Sequence, residues 1–550
     1  MILKDKTWRG TWPLYVVFFI VVAPVLLLRD FTPDNELRYL SIADEALLNH
    51  SFFAFSNHGI PYADKPPLYL WIVMALRQLL GSHQMWALGL VSLLPALATV
   101  YTMDRWVAET LDDGARRCGR WLLLTSAFFF GAAVTVRMDM LMCWFIVLSL
   151  RSFWHIYSRD AHYRRSRWMF GLFVFLALFT KGPLGVLIPL CSTVAFLAVR
   201  RQWSRLAEVW LRLAEVWGWR TWTVLLAGCA LWFGAVWTEG GSAYLDNLLF
   251  HQTLDRAVHA FHHNRPCYYY LVCLWYCVAP WSLLAVLSMG LLLKQKGSTS
   301  DLQLFFPLVA LVILLLLSAI SGKLQIYMLP AIPFMAYSAA YCLPAFPCSW
   351  HVRLCLALPA FVLVASLPAL LTVGRNIPFS AFLFHPAVVC AAALLSLGGI
   401  AALLALLAGP GQRSSYKSVE YMAKAVMAAV FVASLVLPKV NPLTGYGPLC
   451  DVAKDVARQE GLHAFMALDL KNAADMDAYL SAPVTTLASQ SEARNVLKDK
   501  VLLMMPCRYK TLANGYRQRQ VGNCLVVVGG SQVQPSVGEP AAQSPKKVHQ

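Results

Sequence analysis

Apolar runs follow one another along most of the chain, at about 12–28, 84–103, 120–136, 138–157, 168–180, 182–200, 221–238, 268–293, 303–321, 324–344, 353–373, 386–408 and 422–437. Most approach the ~20 residues that cross a bilayer as a helix. The pattern predicts an all-α polytopic membrane domain over 1–437, with about 13 spans. At Arg137 and Lys181 a charge separates two apolar runs, which predicts turns at a membrane face. Polar residues collect in two longer stretches. The first, 29–83, predicts a helix from Asn35 to Leu48, a Gly/Pro turn, and a second helix opening at Pro66-Pro67, where proline suits a helix start. Such helices would lie along the membrane interface. The second, 239–267, is rich in histidine and arginine. Between spans, 205–217 repeats RLAEVW at a seven-residue spacing and predicts a short amphipathic interfacial helix.

After Pro438 the period changes. Segments 463–468, 484–487, 500–505 and 524–528 predict strands, and 472–480 and 490–498 predict helices. These make a small C-terminal α/β soluble domain over 438–528. Residues 529–550 lack apolar periodicity and predict a disordered tail.

Composition sharpens this picture. Of 550 residues, 58% are hydrophobic and 14% charged, with a mean hydropathy of +0.56. Soluble domains carry about 25% charged residues, so soluble-enzyme, nucleic-acid-module and disulfide-scaffold readings are excluded, and nucleic acid is not an expected partner. The net charge of +17 instead fits loops rich in Lys and Arg on the cytoplasmic side. With the N-terminus inside, the inner loops hold 21 basic residues and the outer segments before 438 hold 10. That sets 29–83 and the α/β domain outside. Lys4, Lys6 and Arg9 precede the first apolar run without a small-x-small cleavage pattern, which predicts an uncleaved anchor. Most of the 14 cysteines sit in apolar runs; Cys507 and Cys524 sit in polar sequence and could bridge.

Positive charge placed outside against the general bias asks for an anionic ligand. By the topology above, one face collects Asp34, Glu36, Arg38, Tyr39, Tyr62, Asp64, Lys65, Arg137, Asp139, Lys181, His251, Arg256, Lys323 and Tyr327. Carboxylates beside several cations suit transfer from a phosphate-linked donor: the cations neutralise the leaving phosphate and a carboxylate orients the nucleophile. No GxxxxGK[ST] loop is present, so ATP-driven chemistry gains no support. Asp34 is also of the type favoured at a helix N-cap.

The runs DNELRYLSIADEAL, YADKPPLYLW, VRMDM, TKGP, FHQTLDR and KLQIYMLPAIP, in this order, resemble the ArnT and protein-mannosyltransferase group of the GT-C superfamily. These are membrane glycosyltransferases that use polyprenyl-phosphate sugars. The resemblance covers roughly residues 12–340 by motif and the rest by layout. It implies a catalytic carboxylate in the first outer loop, at Asp34 with Glu36 second, because Asn35 stands in the usual acidic slot. Asp139 matches the family's acidic residue at the fourth span. Donor-phosphate binding falls to Lys65, Lys181, Arg256 and Arg38, and the pocket to Tyr39, Tyr62, Tyr327, Lys323 and Arg137. Asp64 stands where a Glu is usual. With His251 it offers two ligands to a divalent cation, so no cofactor is required and a metal is optional. What the resemblance implies is an inverting transferase of the bacterial inner membrane, with its active site and C-terminal domain periplasmic. It would move a sugar, 4-amino-4-deoxy-L-arabinose if ArnT is followed, from undecaprenyl phosphate to a lipid A phosphate, giving polymyxin resistance. Membrane lipids are the remaining expected partners. The alternatives are a GT-C enzyme acting on protein or another glycan, and a lipid or sugar transporter or flippase. A transporter predicts mid-membrane charge and an internal repeat, neither of which the chain displays.

Overall fold

The computed structural model describes residues 6–200, 206–249, 265–295, 300–374 and 380–532. The chain forms two compact units: Met1–Arg29 with Ile42–Val440, and Asp30–Ser41 with Asn441–Gln550.

The first unit is helical. Its opening elements are α1 (Lys6–Leu28), α2 (Glu36–Asn49, divided between the units after Ser41), α3 (Leu68–Leu80), α4 (Met85–Trp106), α5 (Asp113–Leu124), α6 (Ala127–Ala133), α7 (Asp139–Ser158), α8 (Tyr163–Lys181), α9 (Leu184–Arg200), α10 (Leu206–Val216) and α11 (Trp219–Asp246). Among the described residues, 7 helices are long and apolar enough to cross a membrane, or up to 9 if two sharply bent pairs each count as one span. Three shorter apolar helices join them. This is a multi-pass membrane protein; among the described residues the long apolar helices number fewer than the thirteen expected spans.

The difference has local causes. Run 120–136 is broken between α5 and α6, where Thr125 and Ser126 hydroxyls donate back to the carbonyls of Trp121 and Leu122. The Ala127 amide then donates to Ala279 at 2.8 Å, so the freed backbone is paired through a neighbouring segment. Run 268–293 is two helices, Tyr269–Cys277 and Ser282–Lys294, bent by 118°. Pro280 lies in that break and has no amide to continue the ladder. A buried ion cluster lies within the bundle: Asp104, near the end of α4, takes Arg116 at 2.7 Å and Arg120 at 2.8 Å, both from α5. Both arginines are among the 21 basic residues that the charge pattern assigns to inner loops.

The second unit carries a five-stranded sheet, β3 (Phe465–Leu468), β4 (Val484–Leu487), β5 (Leu502–Pro506), β6 (Tyr516–Val521) and β7 (Cys524–Gln532), in the order β4-β3-β5-β7-β6. β3 is parallel to β4 and β5; β7 is antiparallel to β5 and β6. Successive residues of β5 and β7 enter opposite cores. Leu502, Met504, Val526 and Val528 face one, while Leu503, Met505, Leu525 and Val527 face the other, as a sheet covered on both faces requires. Two expectations are corrected here. β6, YRQRQV, is a strand absent from the sequence reading, because its outer position lets polar residues alternate along it. β7 continues to Gln532, so the tail does not begin at 529; residues 533–550 lie outside the described residues. Cys507 and Cys524 are both free thiols, without the bridge considered above.

Candidate functional site

α7 begins at Asp139 and α8 ends at Lys181. The two helices pack as antiparallel neighbours, so these termini meet. A carboxylate at a helix N-terminus and a cation at a C-terminus each oppose the helix dipole favourably. Asp139 is 2% exposed at its side chain; Oδ1 accepts from the Lys181 ammonium and Oδ2 from Arg137 Nε at 3.1 Å. A carboxylate saturated by two cations acts as their counter-ion and not as a free base. The Lys181 ammonium also lies 4.5 Å from the centre of the Tyr327 ring, and Lys65 stands within electrostatic reach of it. Lys65 itself donates to the Asp64 carbonyl at 3.2 Å. Arg137, Lys181 and Lys65 therefore stand about the Asp139 carboxylate, with Arg137 a quarter exposed.

Local sequence explains the placement. Gly182 has φ 98°, a conformation that favours glycine, and its amide donates to Leu178 at 2.7 Å. A Cβ at Gly185 would stand 2.4 Å from the backbone of Ala177, so α8 and α9 approach as closely as glycine allows. Thr180-Lys181-Gly182-Pro183 is thus a shaped turn. The turn before Asp139 is held by the Ser92 hydroxyl, 2.6 Å from the Thr135 carbonyl, and by Arg29, which donates to Val134 at 3.2 Å.

The segment leading to Lys65 is clamped by residues that the sequence reading missed. Glu45 accepts from the amides of His58 and Gly59 in the hairpin of β1 (Ser56–Asn57) and β2 (Ile60–Pro61). From α11, Tyr244 accepts from the Phe55 amide at 3.0 Å and donates to the Tyr62 carbonyl at 2.7 Å. Glu239 accepts from the amides of Phe53 and Ala54, each at 3.0 Å. The available signal was an acidic residue and a tyrosine closing an otherwise apolar helix.

Asp34, Glu36, Arg38 and Tyr39 belong to the second unit. Glu36 is buried, and Oε2 accepts from the Thr32 amide at 2.7 Å and its hydroxyl at 3.0 Å. Asp34 is 57% exposed at its side chain and pairs with Lys471 at 2.5 Å. The helix opens at Glu36, with Asn35 immediately before it. Arg38 and Tyr39 follow in the same turn, Tyr39 buried. Also in this unit, Asp30 accepts from the amides of Phe31 (2.8 Å) and Gly447 (2.7 Å) and from the Tyr479 hydroxyl. Burial pushes the Asp30 carboxyl above its ordinary range, although those three donors pull it down.

No family model matches the chain. The chain is 27% identical over 340 residues to the undecaprenyl phosphate-alpha-4-amino-4-deoxy-L-arabinose arabinosyl transferase of Pseudomonas aeruginosa, covering 59% of this chain and 58% of that protein. The transferase of the same name from Shewanella sediminis is 27% identical over 342 residues, covering 60% and 59%. The chain therefore spans less than two thirds of the length of these curated relatives. Crystal structures of ArnT from Cupriavidus metallidurans superpose with a TM-score of 0.75 at 20% identity. The form bound to undecaprenyl phosphate covers 95% of this chain and 98% of that one; the apo form covers 96% and 100%. The fold is that of ArnT.

Within this ArnT fold, the first unit brings together Lys65, Arg137, Asp139, Lys181 and Tyr327 of the expected site. Lys323 is buried at the turn that carries Tyr327, and its ammonium donates to the Ile320 carbonyl. Tyr62 is held through its carbonyl by Tyr244, and Asp64 is partly buried. His251 and Arg256 lie outside the described residues. Among the described residues, no group of three or more His, Cys, Asp or Glu is arranged to hold a metal ion.

Proposed function

We propose that the protein is a membrane glycosyltransferase that moves 4-amino-4-deoxy-L-arabinose from undecaprenyl phosphate to a lipid A phosphate with inversion. The observation that carries this reading is the cationic group of Lys65, Arg137 and Lys181, organised by Asp139. The names of the relatives and the ArnT fold support it. As the acceptor oxygen bonds to the anomeric carbon, the bond from that carbon to the donor phosphate breaks. The donor goes from a singly charged phosphodiester to a phosphomonoester approaching two charges at neutral pH. Charge thus develops on the leaving phosphate, where prepositioned cations lower the barrier most. The acceptor phosphate is already ionised, so the first-loop carboxylates would orient it and balance charge rather than remove a proton. Asp34 and Glu36 are assigned that role on the sequence pattern. The lysine and arginine charges supply what a metal would, so the proposed reaction uses no cofactor; Asp64 and His251 remain the residues to which a divalent cation would go. In this reading the enzyme lies in the bacterial inner membrane with the cation group and the C-terminal unit on the periplasmic side.

The test is mass spectrometry of lipid A from cells with and without the gene. The expected result is a gene-dependent addition of the aminoarabinose mass, lost in Lys181→Ala. An unchanged lipid A profile would move the acceptor to protein or another glycan. A cysteine at residue 530 labelled only after the inner membrane is opened would overturn the orientation.

A further inference from the structure

At the other end of the first unit, α9, α10 and α11 enclose an apolar groove of about 550 Å³. α9 starts three residues after Lys181, and the groove runs along it from Leu190 to Ala198, about 9 to 21 Å from the helix start at helical rise, away from the cation group. Its walls include Val194 and Ala198 of α9, Val209 and Leu213 of the amphipathic α10, and Trp217 and Trp222 about the start of α11. α10 is held over it by Trp217, whose indole donates to Thr193 at 3.1 Å and whose ring meets Phe170 at 5.1 Å. A volume of this size is in the range of a small-molecule site.

The rim has the opposite character. Arg220 lies 4.5 Å from the Trp219 ring centre and 5.9 Å from that of Trp168, and it holds no ion pair among the described residues. Exposed Trp168, Trp219 and Trp210 beside it match the aromatic belt at a membrane surface. Arg212 and Arg159 both reach Glu215, each at 3.5 Å, and α10 carries a second carboxylate, Glu208, in its first turn, whereas Arg220 is left to the tryptophans. A dry groove that opens under a positive, tryptophan-lined rim combines the requirements of an acyl chain and of a phosphate headgroup.

We infer that this groove is a binding site for an anionic glycerophospholipid, one acyl chain lying between α9, α10 and α11 and the phosphate near Arg220. It is separate from the donor site and does not rest on the transferase reading. The test is native mass spectrometry of the full chain released from nanodiscs of phosphatidylethanolamine with graded phosphatidylglycerol. The unaltered protein is expected to retain one phosphatidylglycerol more firmly than the rest. Ala198→Phe and Ala214→Phe, which fill the groove from different helices, should each remove it while the protein stays monodisperse. Arg220→Ala should weaken the preference for phosphatidylglycerol over phosphatidylethanolamine roughly fivefold, the effect of one surface cation on an anionic lipid. Retention of the same lipid by both filled variants would overturn the site. An unchanged headgroup preference in Arg220→Ala would overturn the anionic assignment, and displacement of the lipid by added undecaprenyl phosphate would give the groove to a polyprenyl chain instead.

Discussion

Asp104 and Asp139 each hold two cations inside the same helical unit. Asp104 takes Arg116 and Arg120, whose side chains are 4% and 7% exposed, and the phenols of Tyr15 and Tyr337 stand within electrostatic reach. Asp139 takes Arg137 and Lys181, but Arg137 is 25% exposed and Lys65 adds a third cation. Ser92, beside the second cluster, lies 12 residues before Asp104 on α4, about 18 Å along the helix. Each centre is one buried carboxylate between two cations; access differs. The first cluster ties α5 to α4, whereas the second keeps one of its cations a quarter open to solvent, as the proposed phosphate binding needs.

The largest expected effect breaks the Asp104 cluster. Asp104→Ala leaves Arg120 uncompensated and Arg116 with only the exposed Asp113 at 3.2 Å, and should cost about 3–5 kcal/mol, read as a lower thermal midpoint of the full chain in detergent. A triple change of Asp104, Arg116 and Arg120 to leucine should recover much of that stability and retain sugar transfer; loss of transfer in a stable triple variant would erase the contrast. Next, Lys181→Met leaves Asp139 paired with Arg137. It should lower transfer about 10²–10³-fold in a membrane assay while the thermal midpoint changes little. A parallel fall in stability would make this cluster structural as well.

A smaller effect concerns the clamp. Tyr244→Phe removes the acceptor for Phe55 and the donor to Tyr62, worth about 1–3 kcal/mol locally, and should speed hydrogen exchange over residues 52–62. Exchange unchanged there would release Tyr244 from any role in placing Lys65. The smallest lies in the second unit. Folded Asp30 holds its proton more tightly than the unfolded chain does. Between the ordinary carboxylate range and its raised value, this group therefore makes stability fall as pH rises and return on acidification. Asp30→Asn should flatten that dependence in exchange protection of Phe465–Leu468.

The hydrophobic pattern was enough for a multi-pass helical protein followed by a small α/β domain, since span length and strand alternation are local properties. It was also enough to mark Arg137, Asp139 and Lys181, because charge between apolar runs is costly and stands out. β6 escaped notice for the converse reason. Its alternating polar residues suit an edge, although the two-residue Gly522-Asn523 connection, with Gly522 at φ 54°, was a readable hairpin signal.

Which charges become partners is not a local property. Arg116 and Arg120 read as loop cations like many others, and only the packing of α5 beside α4 buries them on Asp104. Asp34 and Glu36 stand two residues apart, yet one is exposed against Lys471 and the other closes on Thr32. The one-dimensional pattern sets where the chain may leave water, because transfer free energy depends on residue type. The pairing of its ions is settled by helix contacts between distant segments, because a buried charge is stabilised by whichever opposite charge the fold brings within a few ångströms.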